Sequence, residues 1–287
     1  MSARARGYVR PASVDEATRA RADHPHWTVL AGGTDLLVGA DRKDAPAGVI
    51  DLGGLAALSG VALEADGTVT IGAATTYVDI LASEVAQREL PCLTAAAREI
   101  GALQIQARGT LGGNIGTSSP VGDSLPPLLA LDAEIELASA ARGARRVPYA
   151  SYCTGYRRTA LQADELIVVI RFPPRPTGLR QVWRKVGTRR AQSISKVMMA
   201  AAGVVEGGVI GHVRVALGAG ADRPIRATAV EAVLAGGTAG PALAARACEA
   251  LAGSIEPIDD IRSRAAYRLR VAQNLVNRFV LGLAEAP

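Results

Sequence analysis

Short apolar runs bounded by turn residues punctuate the first half of the chain and read as strands: Gly7 to Arg10, Trp27 to Leu30, Val49 to Leu52, Ala133 to Ala138 and Leu166 to Phe172. Val61 to Glu64 and Thr68 to Ile71 flank Ala65-Asp66-Gly67, a hairpin signal. Between them the apolar spacing lengthens to a helical period. Ser13, with Glu16 three residues on, opens the first helix at the spacing of a capping box. Val78 to Ala86 and Leu93 to Ile100 carry two more, and Leu36-Leu37-Val38 is a candidate helix start. Pro126-Pro127 opens a short helix through Leu131, since proline suits a first helical turn.

Pro173-Pro174-Arg175-Pro176 is the best candidate linker. Beyond it, Val182 to Val186, Val197 to Val205 and Val209 to Leu217 predict a small antiparallel sheet, with Glu206-Gly207-Gly208 as a tight turn. Three helices close the chain: Ala227 to Ala235, Pro241 to Leu251 and Ile261 to Leu283. The pattern predicts an α+β architecture in two domains, residues 1–175 and 176–287, without repeats or a low-complexity tail.

Composition narrows the picture. With 49% hydrophobic but only 3% aromatic residues, the core must be aliphatic, and 31 glycines imply tight turns or backbone lying close to a ligand. The net charge of +5 comes almost wholly from arginine, because Lys43, Lys185 and Lys196 are the only lysines. The arginines are spread out, and no aromatic-interleaved stripe accompanies them, so a solvated surface is expected and nucleic-acid binding is not. Cys92, Cys153 and Cys248 are too far apart for a disulfide framework, a zinc site or an iron–sulfur cluster. His24, His26 and His212 lack metal-ligand spacing with a carboxylate, so no metal site is assigned. No apolar stretch opens the chain and no run approaches the roughly 18–20 residues of a membrane span, so the expectation is a cytoplasmic protein without a transmembrane segment.

Two glycine-rich segments carry candidate chemistry. The strand at Trp27 to Leu30 runs into Ala31-Gly32-Gly33-Thr34-Asp35, and paired glycines after a strand present bare amides that suit a phosphate, with Thr34 adding a hydroxyl. An ordinary tight turn would look the same. The second segment, Thr110 to Asp123, is richer: Gly112-Gly113 precedes Asn114, then hydroxyls and a carboxylate. It suits a dinucleotide, with amides and hydroxyls on phosphate and Asn114 or Asp123 on sugar hydroxyls. Neither segment has the spacing of a Rossmann fingerprint or a P-loop.

Val29-Leu30-Ala31-Gly32-Gly33-Thr34-Asp35-Leu36 and Thr110-Leu111-Gly112-Gly113-Asn114 resemble the paired pyrophosphate loops of the xanthine dehydrogenase/carbon monoxide dehydrogenase flavoprotein family. Ser119-Pro120 to Asp123 and the stretch from Arg184-Lys185-Val186-Gly187-Thr188-Arg189-Arg190 to Val197 are similar to that family too. The resemblance implies an FAD-binding domain of the vanillyl-alcohol-oxidase (PCMH) type followed by a small domain of antiparallel sheet plus helices. It implies that the 29–36 and 110–114 loops hold the FAD pyrophosphate. It also implies that Asp123 is a flavin-binding carboxylate, that Lys185 lies close to the flavin, and that Ile167 and Ile100 line the site. On their own, Lys185 could instead be a surface lysine, and Asp123 a cap for the helix near Pro126.

In such a family this chain carries electrons and has no catalytic residue for substrate oxidation. The molybdenum cofactor and 2Fe-2S clusters reside on two partner subunits, in a dimer of heterotrimers, and NAD+ or another acceptor takes the electrons. The Gly-Gly-Thr-Asp form of the first loop and Lys-Val-Gly-Thr-Arg-Arg look closer to xanthine dehydrogenase-like members. Carbon monoxide, aldehyde and N-heterocycle dehydrogenases remain alternatives, as do a stand-alone flavin oxidoreductase of the same fold and a non-enzymatic nucleotide-binding module.

Overall fold

The computed structural model describes residues 7–38, 45–189 and 192–285, so Arg190 of the third motif lies outside the described residues. The first helix, α1 (Val14–Asp23), starts where Ser13 Oγ accepts the amide of Glu16 at 3.1 Å. The Glu16 carboxylate takes the amide of Ala12 at 2.8 Å, one residue before the position a capping box would use. α1 bridges two strands of a small parallel sheet, in which β1 (Tyr8–Val9), β2 (Thr28–Leu30) and β3 (Val49–Asp51) lie in the order β1-β3-β2.

A second sheet is antiparallel, in the order β4 (Val61–Leu63), β5 (Val69–Gly72), β10 (Leu166–Phe172), β6 (Glu134–Ser139), β7 (Gly143–Pro148). β6 alternates strictly between buried and half-buried positions. β7 escapes the sequence pattern because Arg145 and Arg146 occupy its middle, charges that suit an edge strand. Short helices cover this sheet: α2 (Tyr77–Ala82), α3 (Glu84–Glu89), α4 (Pro91–Ala97), α5 (Leu103–Gln106), α6 (Leu111–Thr117), α7 (Leu125–Ala130) and α8 (Tyr149–Tyr152), the last leading into the β8 (Cys153–Gly155) and β9 (Arg158–Thr159) pair. The helix expected over Val78 to Ala86 is two helices, because Ser83 ends α2 and then caps α3 by accepting the amide of Ala86. Leu36 to Val38 form only a turn, closed by the amide of Leu37 on Gly33 O, and no helix follows within the described residues.

The third sheet runs β11 (Arg180–Val186), β12 (Val197–Glu206), β13 (Val209–Gly218), β14 (Ile225–Arg226), antiparallel throughout. Gly207 and Gly208 both take positive φ, +56° and +82°, which the two-residue turn between β12 and β13 requires. β12 is buried on both faces. Val197, Met199 and Ala201 face the helices α9 (Thr228–Leu234), α10 (Pro241–Ala252) and α11 (Ala265–Ala284). Met198, Ala200 and Ala202 join the core of the second sheet, where α7 lies across β12 and β13. The small alanine side chains let that helix approach closely, so both halves of the chain share one apolar core. Asp132 (φ +50°), just after α7, reinforces the junction by accepting Arg214 Nε at 2.8 Å and bonding Arg226. α11 begins four residues later than expected because Asp260 Oδ1 holds the amides of Arg262 and Ser263 in a turn.

Candidate functional site: a cavity between two glycine segments

The end of β2, the 31–36 turn, the start of α6, the 116–123 segment and the start of β10 enclose a cavity of about 570 Å³, within the range of small-molecule and cofactor sites. Of the positions singled out from sequence, Val29, Leu30, Ala31, Gly32, Gly33, Thr34, Asp35 and Leu36 line it on one side. Thr110, Gly112, Gly113, Asn114, Asp123, Ile100 and Ile167 line it elsewhere. Leu111 does not, because α6 turns its side chain fully into the core. Lys185 does not line the cavity either and stands behind Asp123.

The two glycine pairs reach the cavity in different states. Among the described residues no backbone acceptor takes the amides of Gly32, Gly33, Thr34 or Asp35. Gly33 has φ +76°, a left-handed conformation open to glycine, and that conformation turns the chain there. A Cβ at Gly32 would sit 1.8 Å from Arg108 O, so the first turn lies backbone to backbone on the approach to the second. The second pair is not the loop expected from its composition. It is the first turn of α6, capped by Thr110, whose Oγ1 accepts the amide of Gly113 at 3.0 Å. Leu111 donates to Thr75 O and Gly112 to Ala73 O, at 3.1 and 2.9 Å. These amides are hydrogen-bonded within the protein, although Gly112 and Gly113 themselves line the cavity. Gly112 is required instead because a Cβ there would lie 2.6 Å from Ala73 O.

Polar groups converge on the far side. Asn114 Oδ1 is buried at the cavity wall without a hydrogen-bond partner among the described residues, an orphan that a polar ligand would satisfy. Asp123 accepts Lys185 Nζ at 2.5 Å on Oδ2 and Ser195 Oγ at 2.7 Å on Oδ1. It does not cap α7, whose cap position Ser124 makes no side-chain bond to the helix. Lys185 is no surface lysine, since its side chain is only 2% exposed. Burial pushes the Asp123 carboxyl above its ordinary range, and the Lys185 charge opposes that shift. A β-bulge between Ile167 and Val169 turns Ile167 toward the cavity, facing the bare Cα of Gly116. Sequence reasoning assigned no role to Ser195 or to Arg21, which also lines the cavity. Ser195 stood inside a quoted motif, whereas Arg21 carried no local signal.

Amides without a backbone acceptor and an amide oxygen without a partner among the described residues, lining a cavity of cofactor size, fit a class: a protein that holds a phosphate-bearing cofactor without a Rossmann or P-loop frame. Residues 3–175 match the FAD binding domain in molybdopterin dehydrogenase, and residues 183–283 match the CO dehydrogenase flavoprotein C-terminal domain. The chain belongs to this family of FAD-binding oxidoreductase subunits of molybdenum hydroxylases. It is 32% identical over 275 residues to the xanthine dehydrogenase FAD-binding subunit of Escherichia coli O157:H7, covering 95% of this chain and 94% of the relative. It is 33% identical to the nicotine 6-hydroxylase medium subunit of Paenarthrobacter nicotinovorans, covering 96% and 95%. A solved carbon monoxide dehydrogenase from Hydrogenophaga pseudoflava superposes with a TM-score of 0.92 at 31% identity, covering 97% of this chain and 96% of that one. The α+β fold of an FAD-binding domain with a C-terminal sheet-and-helix domain follows, as the motifs implied. Among the described residues no helix is long and apolar enough to cross a membrane, and no cluster of ligating side chains could hold a metal.

Proposed function

We propose that this chain is the electron-transfer subunit of a xanthine dehydrogenase-like molybdenum hydroxylase. In this reading it takes electrons from iron–sulfur clusters on one partner, passes them to NAD+ or another acceptor, and leaves substrate oxidation to a molybdenum-cofactor partner. It would work in the cytoplasm within a dimer of heterotrimers. The chain divides for this task near residue 175, into an FAD-binding domain and a domain that closes the Asp123 end through Lys185 and Ser195. FAD supplies the redox chemistry when bound, and the protein supplies binding, orientation and electrostatics.

The observation that carries the reading is that Gly32 to Asp35, whose amides have no backbone acceptor among the described residues, line a cavity together with Asn114, whose Oδ1 has no partner among them either. The amides hold the pyrophosphate, Thr34 adds a hydroxyl, and Asn114 takes a sugar hydroxyl. Asp123, held by Lys185 and Ser195, orients the flavin end, and Ile100 and Ile167 supply apolar wall. Lys185 acts through Asp123. A self-sufficient oxidoreductase would need a base on the wall. Tyr77 is the phenol there, but burial pushes its hydroxyl well up and it is bonded to Ser124. The xanthine dehydrogenase-like assignment leans on the Gly-Gly-Thr-Asp turn, because relatives named for xanthine, nicotine and carbon monoxide stand at similar identity.

Affinity purification from the native host, with a visible spectrum and identification of co-purifying chains, tests the reading. Bound FAD with molybdenum- and iron–sulfur-bearing partners is expected, and turnover of xanthine by that complex supports the finer assignment. A colourless, solitary protein that cannot be reconstituted with FAD would contradict it.

A further inference from the structure

Among the described residues four charged side chains line the cavity, and three are already answered. Asp123 is paired with Lys185 at 2.5 Å, Glu165 with Arg145 at 2.6 Å, and Asp35, at the exposed rim, lies 3.9 Å from Arg157. Arg21 is the exception. Among the described residues no carboxylate comes within ion-pair distance of it, and its Nη1 donates to Trp27 O at 2.8 Å. Its Nε is buried with no acceptor. Asp164, whose charge acts on it, is itself held by Arg142 and Ser139, and burial pulls the Arg21 guanidinium below its ordinary range. A cation kept partly dry beside a cavity, with an unused donor, is a costly arrangement unless a ligand completes it.

Its position says which part of a ligand that is. Arg21 is tied to Trp27, at the entry to β2, while the uncommitted amides begin just past the exit of β2. Trp27 and Ala31 are four residues apart in extended chain, which is about 13 Å at a strand's rise. That is too far for one pyrophosphate to touch both and about the reach of a ribose with a purine ring. Asp123 lines the cavity too, and is held there by Lys185 of β11 in the C-terminal sheet. A dinucleotide whose pyrophosphate rests on the amides therefore sends one half toward Asp123 and the other toward Arg21. Leu52, Leu58, Leu161 and Leu166 line the cavity as well and supply apolar surface for a flat ring.

We propose that Arg21 anchors the adenosine half of FAD, its guanidinium donating to adenine ring nitrogens between leucine walls. The inference rests on the FAD-binding reading above. Adenine offers unprotonated ring nitrogens as acceptors, which a donor-only guanidinium matches. Arg21 thereby makes the site selective for FAD over FMN, which ends before it could reach this residue.

The test is titration of the deflavinated full-length chain with FAD, ADP and FMN, for the native protein, Arg21→Leu and Arg21→Lys, with flavin-free melting as a check on folding. Arg21→Leu is expected to weaken FAD and ADP by about tenfold or more, the range for a hydrogen bond to a charged group, and to leave FMN unchanged. Arg21→Lys should fall between, because it keeps the charge and loses the planar fork. If Arg21→Leu fails to fold, the FAD-to-FMN ratio of Arg21→Lys carries the test. FAD binding within twofold of native, or FAD and FMN weakened in equal proportion, would overturn the proposal. Native protein that binds no FAD at all would instead overturn the reading it rests on.

Discussion

The turn at Gly32-Gly33 and the segment at Gly112-Gly113 look alike in sequence, each a glycine pair followed by a polar residue, yet their backbones stand in opposite states. In the first, whose residues line the cavity, the amides of Gly32 to Asp35 have no backbone acceptor among the described residues. In the second the amides of Leu111 to Gly113 are spent on Thr75 O, Ala73 O and Thr110 Oγ1, and the glycines let α6 press against Ala73. A glycine pair is therefore only permission for close approach. What approaches, ligand or protein, is decided by where the neighbouring carbonyls lie.

Small substitutions in the two segments separate the two states. Gly32→Ala has the largest expected effect, because its Cβ would meet Arg108 O at 1.8 Å and both backbones must move. We expect a loss of about 3 kcal/mol or more in flavin-free stability, with flavin content at background, read by thermal melting and absorbance. Gly112→Ala forces its Cβ onto Ala73 and should cost about 2 kcal/mol of flavin-free stability. The molecules that remain folded should bind FAD nearly as before, which an FAD titration corrected for folded fraction would measure. Thr110→Val removes the cap on α6 and should cost about 1 kcal/mol by denaturant titration, with the same small effect on FAD. Gly116→Ala is the mildest. Its Cβ would touch only Ile167 Cδ1 at 3.7 Å, so stability should stay within about 0.5 kcal/mol in the same titration. If Gly112→Ala lowered FAD affinity as severely as Gly32→Ala while leaving the flavin-free protein stable, the contrast would collapse.

The contrast also shows what was legible beforehand. The strands of the three larger sheets were readable wherever apolar runs met turn residues, and the first glycine turn was readable because a strand leads straight into it. α6 was not. Leu-Gly-Gly-Asn-Ile-Gly has poor intrinsic helix propensity, and the carbonyls that hold its first turn come from Ala73 and Thr75, more than 30 residues upstream. That helix also explains why Leu111, flanked by cavity residues, points to the core. Lys185 was placed near the site by its motif, but only the fold reveals that Asp123 stands between it and the cavity. Arg21 is conspicuous for lacking an ion-pair partner among the described residues, and no local pattern in a sequence announces such a lack.

Amide hydrogen exchange on the flavin-free and FAD-loaded protein tests the division of labour most directly. The amides of Gly32 to Asp35 should exchange fast without flavin and slow sharply when FAD binds, while those of Leu111 to Gly113 should be slow in both states. Strong FAD-dependent protection at Leu111 to Gly113, with Gly32 to Asp35 unchanged, would mean that the second glycine segment holds the pyrophosphate and would contradict the assignment.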